Sequence, residues 1–233
     1  MPETIYTIPI NHAFEQAAEK DSPTCPFCVL VSNLEVIELE RIMGAAMMED
    51  DIRARTNAKG FCRGHYNSML AAGKRLSLAL ILESHLYHLR DKLSSSPLDL
   101  IQSANKRTTS RIERQVESCY LCEIIEFHFA KMLTTAAYMY KQDEDFRKRL
   151  QNQRMICLPH FSRYILAGKG QMKGAQFNDF YKRVGSIVFE YFDSLCEDVS
   201  GFCKMFDYRS EGLEWGTKKD SPERATEFLT KKK

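Results

Sequence analysis

The sequence predicts an all-α protein made of two pseudo-symmetric helical repeats. Apolar residues recur at spacings of three and four along most of the 233-residue chain, which is the period of a helix with one buried face. No segment alternates apolar and polar residues between turn signals, as a half-buried strand would. A pattern of Cys-x-x-Cys followed by Cys-x-x-His occurs twice, which indicates an internal duplication.

The spacing within this pattern is the main evidence for the duplication. The second and third cysteines are 34 residues apart in the first copy and 35 in the second. The flanks repeat as well, because Asp51-Ile52-Arg53 and Asp145-Phe146-Arg147 precede the third cysteine by 11 and 12 residues. We therefore predict an N-terminal segment over 1–21, a first repeat with a connecting helix over 22–115, a second repeat over 116–210 and a tail over 211–233.

Apolar stripes predict the helices of each copy. In chain order the stripes are Phe27–Ile37, Leu78–Leu93, Leu121–Met139 and Phe177–Phe202. Between the copies, Ser94–Pro97 predicts a turn and 98–115 a polar helix that carries Lys106, Arg107, Arg111 and Arg114. The tail predicts a loop and a short helix that ends in three lysines.

Prolines and glycines predict where the motif helices begin and end. Pro26 and Pro159 lie inside the motifs and suit the first turn of a helix, where a missing N–H costs no hydrogen bond. Thr24 is the predicted N-cap before Pro26, and Gly73 and Gly168 are predicted C-caps. Each motif is therefore expected in the first turn of its own helix.

Three cysteines and one histidine at these spacings are a ligand set for tetrahedral Zn(II). Ligands three positions apart can bind one ion from a single turn, and the positive end of the helix dipole favours thiolates. We predict one closed site at helix N-termini in each repeat, hence two zinc ions per chain. The predicted ligands are Cys25, Cys28, Cys62 and His65 in the first repeat and Cys119, Cys122, Cys157 and His160 in the second.

Three other interpretations of the cysteines remain open. An iron–sulfur cluster can take the same ligands, although the usual ferredoxin cysteine runs are absent from the sequence. Disulfides require an oxidising compartment. Buried free thiols are common in protein cores.

Composition limits the classes of function. The chain has 33 Lys and Arg against 31 Asp and Glu, a net charge of +2, which disfavours a strongly basic nucleic-acid binder. Apolar runs such as Leu78–Leu82 are much shorter than a membrane span. The first residues do not resemble a secretory signal, so we expect a cytoplasmic protein with reduced thiols.

Other candidate residues have simpler interpretations. His85 and His88 lie near Glu83, but His85 is predicted to be a hydrogen-bonded histidine at the edge of the apolar stripe. His128 lacks the Glu-x-x-His spacing of di-iron bundles. Cys196 and Cys203 are seven residues apart, on one helix face, and are predicted to be buried free thiols.

The motif residues resemble an uncharacterised bacterial family recorded as a domain of unknown function. The resemblance lies in Cys25-Pro26-Phe27-Cys28, Gly60-Phe61-Cys62-Arg63-Gly64-His65-Tyr66, Cys119-Tyr120-Leu121-Cys122, Cys157-Leu158-Pro159-His160-Phe161, Met47–Arg53 and Trp215–Asp220. It covers nearly the whole chain and implies a common architecture without an activity.

The function predicted from the sequence is therefore a zinc-stabilised helical scaffold or protein-interaction module. Four protein ligands leave no open position on the ion, and such closed sites are usually structural. No catalytic residue is predicted, and the protein partner and oligomeric state are left open. The alternative is a metal-dependent enzyme or redox sensor that uses iron–sulfur or labile zinc in the same sites.

Overall fold

The computed structural model describes residues 4–93, 106–206 and 214–230. Within these ranges the chain forms eleven α-helices, short 3-10 helices at Thr4–Tyr6, Ala45–Met48 and Gly216–Lys218, and no strand. The α-helices are α1 (Thr7–Glu19), α2 (Pro26–Ile42), α3 (Asp50–Lys59), α4 (Arg63–Ala71), α5 (Arg75–Leu93), α6 (Lys106–Glu117), α7 (Tyr120–Gln142), α8 (Glu144–Gln151), α9 (Leu158–Gln171), α10 (Gly174–Lys204) and α11 (Ser221–Leu229). The predicted all-α class is confirmed.

The four predicted stripes lie in α2, α5, α7 and α10, but the buried faces differ from them in places. Ile37 and Leu86 are 55% and 61% exposed. In α5 the buried residues are Leu78, Ile81 and His85. His85 Nδ1 lies 2.9 Å from the carbonyl oxygen of Asn57, so the predicted hydrogen-bonded histidine is confirmed.

Two predicted caps are wrong. Thr24 lies two residues before α2, and its hydroxyl donates to the carbonyl oxygen of Ser22 (3.1 Å) instead of capping a helix N–H. Gly168 lies inside α9, where a Cβ would come within 2.1 Å of the Phe180 ring. That glycine serves close packing rather than helix termination. Gly73, at φ 73°, does follow the end of α4.

The chain divides into two compact units, and these do not follow the predicted repeats 22–115 and 116–210. The first unit comprises Met1–Asn33 and Phe129–Lys233, and the second comprises Leu34–His128. Each unit therefore combines sequence from both predicted repeats. The pseudo-symmetry of the repeats stays a prediction.

Aromatic rings form the core of the first unit. Phe27 packs against Phe14 at 5.4 Å between ring centroids, against Tyr164 at 4.8 Å and against Phe129 at 6.5 Å. All four side chains are almost fully buried. Since each buried aromatic side chain stabilises the fold by about 1.5–3 kcal/mol, this cluster fixes where α2 and α9 meet.

The predicted short helix of the tail is α11. Arg224 donates to Asp198 on α10 (2.8 Å) and to Asp220 (3.0 Å), and Phe228 is buried against Tyr191 at 5.5 Å between centroids. The predicted turn at Ser94–Pro97, the first half of the predicted connecting helix and the final lysines lie outside the described residues. Across the described ranges, no helix has both the length and the apolar character needed to cross a membrane.

Candidate metal centres

The eight predicted ligands form two Cys3His clusters, and in each the four donor atoms lie within 4.8 Å of one another. The α2–α9 centre consists of Cys25, Cys28, Cys157 and His160; the α4–α7 centre consists of Cys62, His65, Cys119 and Cys122. Each centre joins the Cys-x-x-Cys of one repeat to the Cys-x-x-His of the other. The predicted grouping of ligands within a repeat is therefore wrong.

The physical reason is that loop length discriminates weakly between the two groupings. The centres join Cys28 to Cys157 across 129 positions and His65 to Cys119 across 54, against 34 and 35 for grouping within repeats. Because closure entropy grows only with the logarithm of loop length, the observed grouping costs in total about 1.6 kcal/mol more. Packing of the aromatic cluster around α2 and α9 outweighs that difference.

Both ligand pairs of the α2–α9 centre lie at helix N-termini. Cys25 directly precedes α2 and Cys28 lies in its first turn, while Cys157 is the N-cap of α9 and His160 lies in its first turn. Hydrogen bonds hold the preceding chain segments in place. Gln153 Nε2 donates to the carbonyl oxygen of Phe14 (3.0 Å). The guanidinium of Arg154 donates to the carbonyl oxygens of Asp21 (3.0 Å) and Lys20.

The α4–α7 centre has the same construction. Cys62 is the N-cap of α4 and His65 lies in its first turn, while Cys119 directly precedes α7 and Cys122 lies in its first turn. Backbone contacts align the two helix starts. The N–H of Tyr120 donates to the carbonyl oxygen of Gly60 (2.9 Å). The hydroxyl of Ser118 donates to the carbonyl oxygen of Lys59 (2.6 Å).

Gly60 is required for this alignment. It ends α3 at φ 61°, a conformation that side chains with a Cβ rarely adopt. A Cβ there would lie 2.7 Å from His85 Nε2. The buried His85 therefore supports the segment that leads into Cys62.

The donor-atom distances match a single tetrahedral ion. The Sγ–Sγ distance is 3.7 Å between Cys28 and Cys157 and 3.8 Å between Cys62 and Cys122. The cysteine Sγ to histidine Nδ1 distances lie between 3.2 and 3.7 Å. A tetrahedron with Zn–S of about 2.3 Å and Zn–N of about 2.05 Å has edges of about 3.8 Å and 3.5 Å. The arrangement can hold one metal ion at each centre.

Both histidines present Nδ1 to the cysteines, which leaves Nε2 available to a second partner. In the α4–α7 centre that partner is Glu35, whose Oε1 lies 3.7 Å from His65 Nε2. A carboxylate behind a metal-bound histidine orients the ring and makes it more basic. Glu35 could not be predicted from the sequence, because 30 residues separate it from His65 and no motif spacing connects the two.

Hydrogen bonding sets the charge of the α2–α9 thiols in the absence of metal. The Cys25 and Cys28 thiols, with backbone N–H groups at the start of α9, lower the pKa of Cys157 to about 4 against the opposing effect of burial. Burial raises the pKa of Cys25, and the neighbouring thiols raise it further. One thiolate therefore forms readily, and a divalent cation is needed to stabilise three together.

In the α4–α7 centre, too, one cysteine has a lowered pKa and another has a raised pKa. Burial opposes ionisation of Cys62, but the N–H of His65 and the thiols of Cys119 and Cys122 outweigh it and lower its pKa. Burial, with Cys119 and Cys62 close by, raises the pKa of Cys122 to about 12. In both centres the cysteine with the lowered pKa is the one that caps the Cys-x-x-His helix, as expected at a helix N-terminus.

The two centres differ in exposure. In the α2–α9 centre, Cys25, Cys157 and His160 are at most 3% exposed, and the His160 ring packs 5.1 Å from the ring of Phe129. In the α4–α7 centre, Cys119 and His65 are buried, Cys62 is half-buried and Cys122 is exposed. The α4–α7 centre therefore has one exposed ligand, Cys122, whereas the α2–α9 centre has none and its least buried ligand is the half-buried Cys28.

Cys196 and Cys203 lie outside both clusters, and both are exposed. The prediction that they are buried is wrong, because α10 buries the face that carries Phe180, Val184, Val188 and Leu195 instead. His88 and His128 also lie outside the two clusters.

Comparison with known proteins gives a family and nothing beyond it. The model of a family of unknown function, DUF6062, matches residues 1–233. No curated protein and no solved structure matches the chain.

Proposed function

The chain belongs to this family of unknown function, and from its two centres we propose that it is a zinc-stabilised helical scaffold or protein-interaction module. Each centre would bind one Zn(II) ion through three thiolates and one imidazole. The proposal places the protein in a reducing compartment such as the cytoplasm, where the thiols stay available to metal.

The observation that carries the proposal is the placement of four donor atoms within 4.8 Å of one another in each centre, with Sγ–Sγ and Sγ–Nδ1 contacts of the length that one tetrahedral ion requires. Zn(II) accepts this geometry and this mixture of sulfur and nitrogen ligands. A cubane iron–sulfur cluster binds each ligand through a different iron, so its thiolates stand farther apart than the ligands of one ion. The Sγ–Sγ distances of 3.7 and 3.8 Å favour a single ion.

The position of the centres favours a structural role. Each joins two helix N-termini that are distant in sequence, so metal binding is coupled to folding. The larger of the two described cavities, about 360 Å³, is lined by Gln153, Arg154, Arg183, Glu190 and Tyr191 among others, and the eight ligands are not among its lining residues. A catalytic ion would need an open position facing a substrate cavity.

An exposed aromatic cluster supports the interaction role. Phe202, Phe206 and Trp215 contact one another at 5.2–5.9 Å between ring centroids, and Phe206 is 72% exposed. Exposed aromatic side chains in contact with each other are typical of protein-binding surfaces.

Elemental analysis of anaerobically purified protein tests the proposal. We expect about two zinc ions per chain with little iron or sulfide, and we expect cooperative loss of helical circular dichroism at lower temperature after chelation. A brown protein that absorbs near ~400 nm would show an iron–sulfur cluster instead. Unchanged melting after complete zinc removal would contradict the scaffold role.

A further inference from the structure

The two centres differ in how accessible their cysteines are to an oxidant from solvent. Cys122 is exposed and Cys62 is half-buried, with their sulfur atoms 3.8 Å apart. In the α2–α9 centre the corresponding distance, between Cys28 and Cys157, is 3.7 Å, but Cys157 is fully buried and Cys28 is half-buried, so neither sulfur belongs to an exposed residue. An oxidant must reach sulfur directly, and oxidation of thiolates therefore follows exposure.

We propose that the α4–α7 centre is a site of oxidative modification, at which a hydroperoxide converts Cys122 and Cys62 into a disulfide and the metal ion is released. The proposal rests on the zinc centre proposed above.

The reaction balances in two steps. The Cys122 thiolate, which the bound metal ion would keep ionised, attacks the hydroperoxide, the O–O bond breaks, and Cys122 sulfenic acid forms while an alkoxide or hydroxide leaves and takes a proton from water. The Cys62 thiolate then attacks the sulfenic sulfur, the S–S bond forms and hydroxide leaves. The two sulfurs lose two electrons in all and the hydroperoxide gains them, while Zn(II) keeps its oxidation state.

The geometry favours Cys62 as the second sulfur. Closing the 3.8 Å gap to a disulfide bond of about 2.05 Å requires less than ~2 Å of movement. Both cysteines lie at helix starts, outside the helix interiors. Cys119 is shielded from solvent, because it is only 4% exposed. Its sulfur also accepts the N–H of Cys122 (3.4 Å), which holds it in place.

Metal release at this centre leaves other contacts in place. The hydrogen bonds from Tyr120 to Gly60 and from Ser118 to Lys59 do not involve the metal. They keep the starts of α4 and α7 aligned, so reduction of the disulfide restores a preformed ligand set. The modification is therefore reversible.

The experiment treats the full-length, zinc-loaded protein with hydrogen peroxide and follows zinc release with a chromogenic chelator. A Cys196→Ser, Cys203→Ser background removes two exposed thiols that are not ligands. We expect one of the two zinc ions to be released at least about tenfold faster than the other. Peptide mapping should find Cys62 linked to Cys122, and a dithiol reductant with zinc should restore the loaded protein.

Matched ligand replacements separate the two centres. Cys122→His keeps a four-ligand set without the exposed sulfur, and we expect zinc to be retained and fast release to be lost. Cys28→His makes the same change in the α2–α9 centre, and we expect the fast phase to be unchanged. If Cys122→His does not fold, the peptide map of the background protein still tests the disulfide.

Several results would overturn the proposal. These are two zinc ions lost at the same rate, no release by peroxide, a fast phase that persists in Cys122→His, or a disulfide that excludes Cys62 or Cys122. Zinc content measured before peroxide separates the two levels of inference. Two bound ions without fast release would contradict only this proposal, whereas absence of zinc would contradict the proposed function as well.

Discussion

The two centres have the same ligands and nearly the same distances between them, yet they lie in different surroundings. The α2–α9 centre lies under the rings of Phe27 and Phe129, with His160 only 3% exposed. The α4–α7 centre leaves Cys122 exposed. The comparison shows that the motif determines what a centre can bind, while the tertiary structure determines whether solvent reaches it.

The largest difference is expected from removing one ligand in each centre. Cys157→Ser should remove the buried ion and leave unpaired polar groups in the core, which we expect to cost about 4 kcal/mol or more, or roughly 8–16 °C in melting temperature. Cys122→Ser should cost about half as much, because water can replace an exposed ligand. Thermal melting and zinc content of both variants test this difference, which equal losses would contradict.

A smaller effect is expected at the glycine that leads into the α4–α7 centre. Gly60→Ala adds a strained φ and a contact 2.7 Å from His85 Nε2, so we expect a loss of about 2–3 kcal/mol and weaker zinc binding at this centre alone. Gly73→Ala is the control, because it has a similar φ of 73° and no atom within 4 Å of the added Cβ. Equal destabilisation by both variants would show that the contact with His85 is unimportant.

The unit that contains the α2–α9 centre also has a metal-independent ion pair. Burial opposes ionisation of Asp198, but the hydrogen bonds from Arg224 and Thr217 outweigh it and hold its pKa below the ordinary value. Its contribution is therefore complete above the ordinary carboxyl pKa of about 4 and is lost as pH falls through the lower folded-state pKa. We expect Asp198→Asn to cost about 1–2 kcal/mol at pH ~7 and much less at pH ~2.

Melting of the parent and Asp198→Asn across this pH range measures that difference. Asp193→Asn on the same helix is the control for loss of a carboxylate. If the difference in melting temperature between the parent and Asp198→Asn stayed constant down to pH ~2, ionisation of Asp198 would not stabilise the fold.

The smallest effect is expected from replacing Glu35, whose carboxylate lies beside Nε2 of His65. Glu35→Gln should weaken zinc binding at the α4–α7 centre by about tenfold or less, because loss of the carboxylate makes His65 a poorer ligand. Because Glu35 Oε1 lies 3.7 Å from His65 Nε2, which is longer than a normal hydrogen bond, we expect only a small loss of zinc affinity. Competition with a zinc indicator measures it, and Glu40→Gln, exposed on the same helix, is the control. Equal affinities for the two variants would exclude a role for Glu35.

Much of the architecture follows from local sequence. The stripes in α2, α5, α7 and α10 predict their helices because a period of 3.6 residues is a local property. Single residues in the sequence predict the ends of helices less well than the stripes predict their interiors. Gly168 continues α9 because its hydrogen atom admits the ring of Phe180, a residue 12 positions away in a different helix.

The exposure of individual side chains could not be predicted from sequence patterns either. Cys196 and Cys203 lie on a helix whose apolar stripe suggests a buried face for them, yet both are exposed. Burial depends on which neighbouring helix covers a face, and that neighbour is set by long-range packing.

The sequence by itself determined the all-α class, the eight candidate ligands and their placement at helix N-termini, since two residues three positions apart share a helical turn. The tertiary structure alone decided which turns meet, because the loop-closure difference of about 1.6 kcal/mol is smaller than the burial of a few aromatic side chains. It also decided that Cys157 is enclosed and Cys122 exposed. Ligand type is a property of single residues, whereas grouping and access depend on how the helices pack.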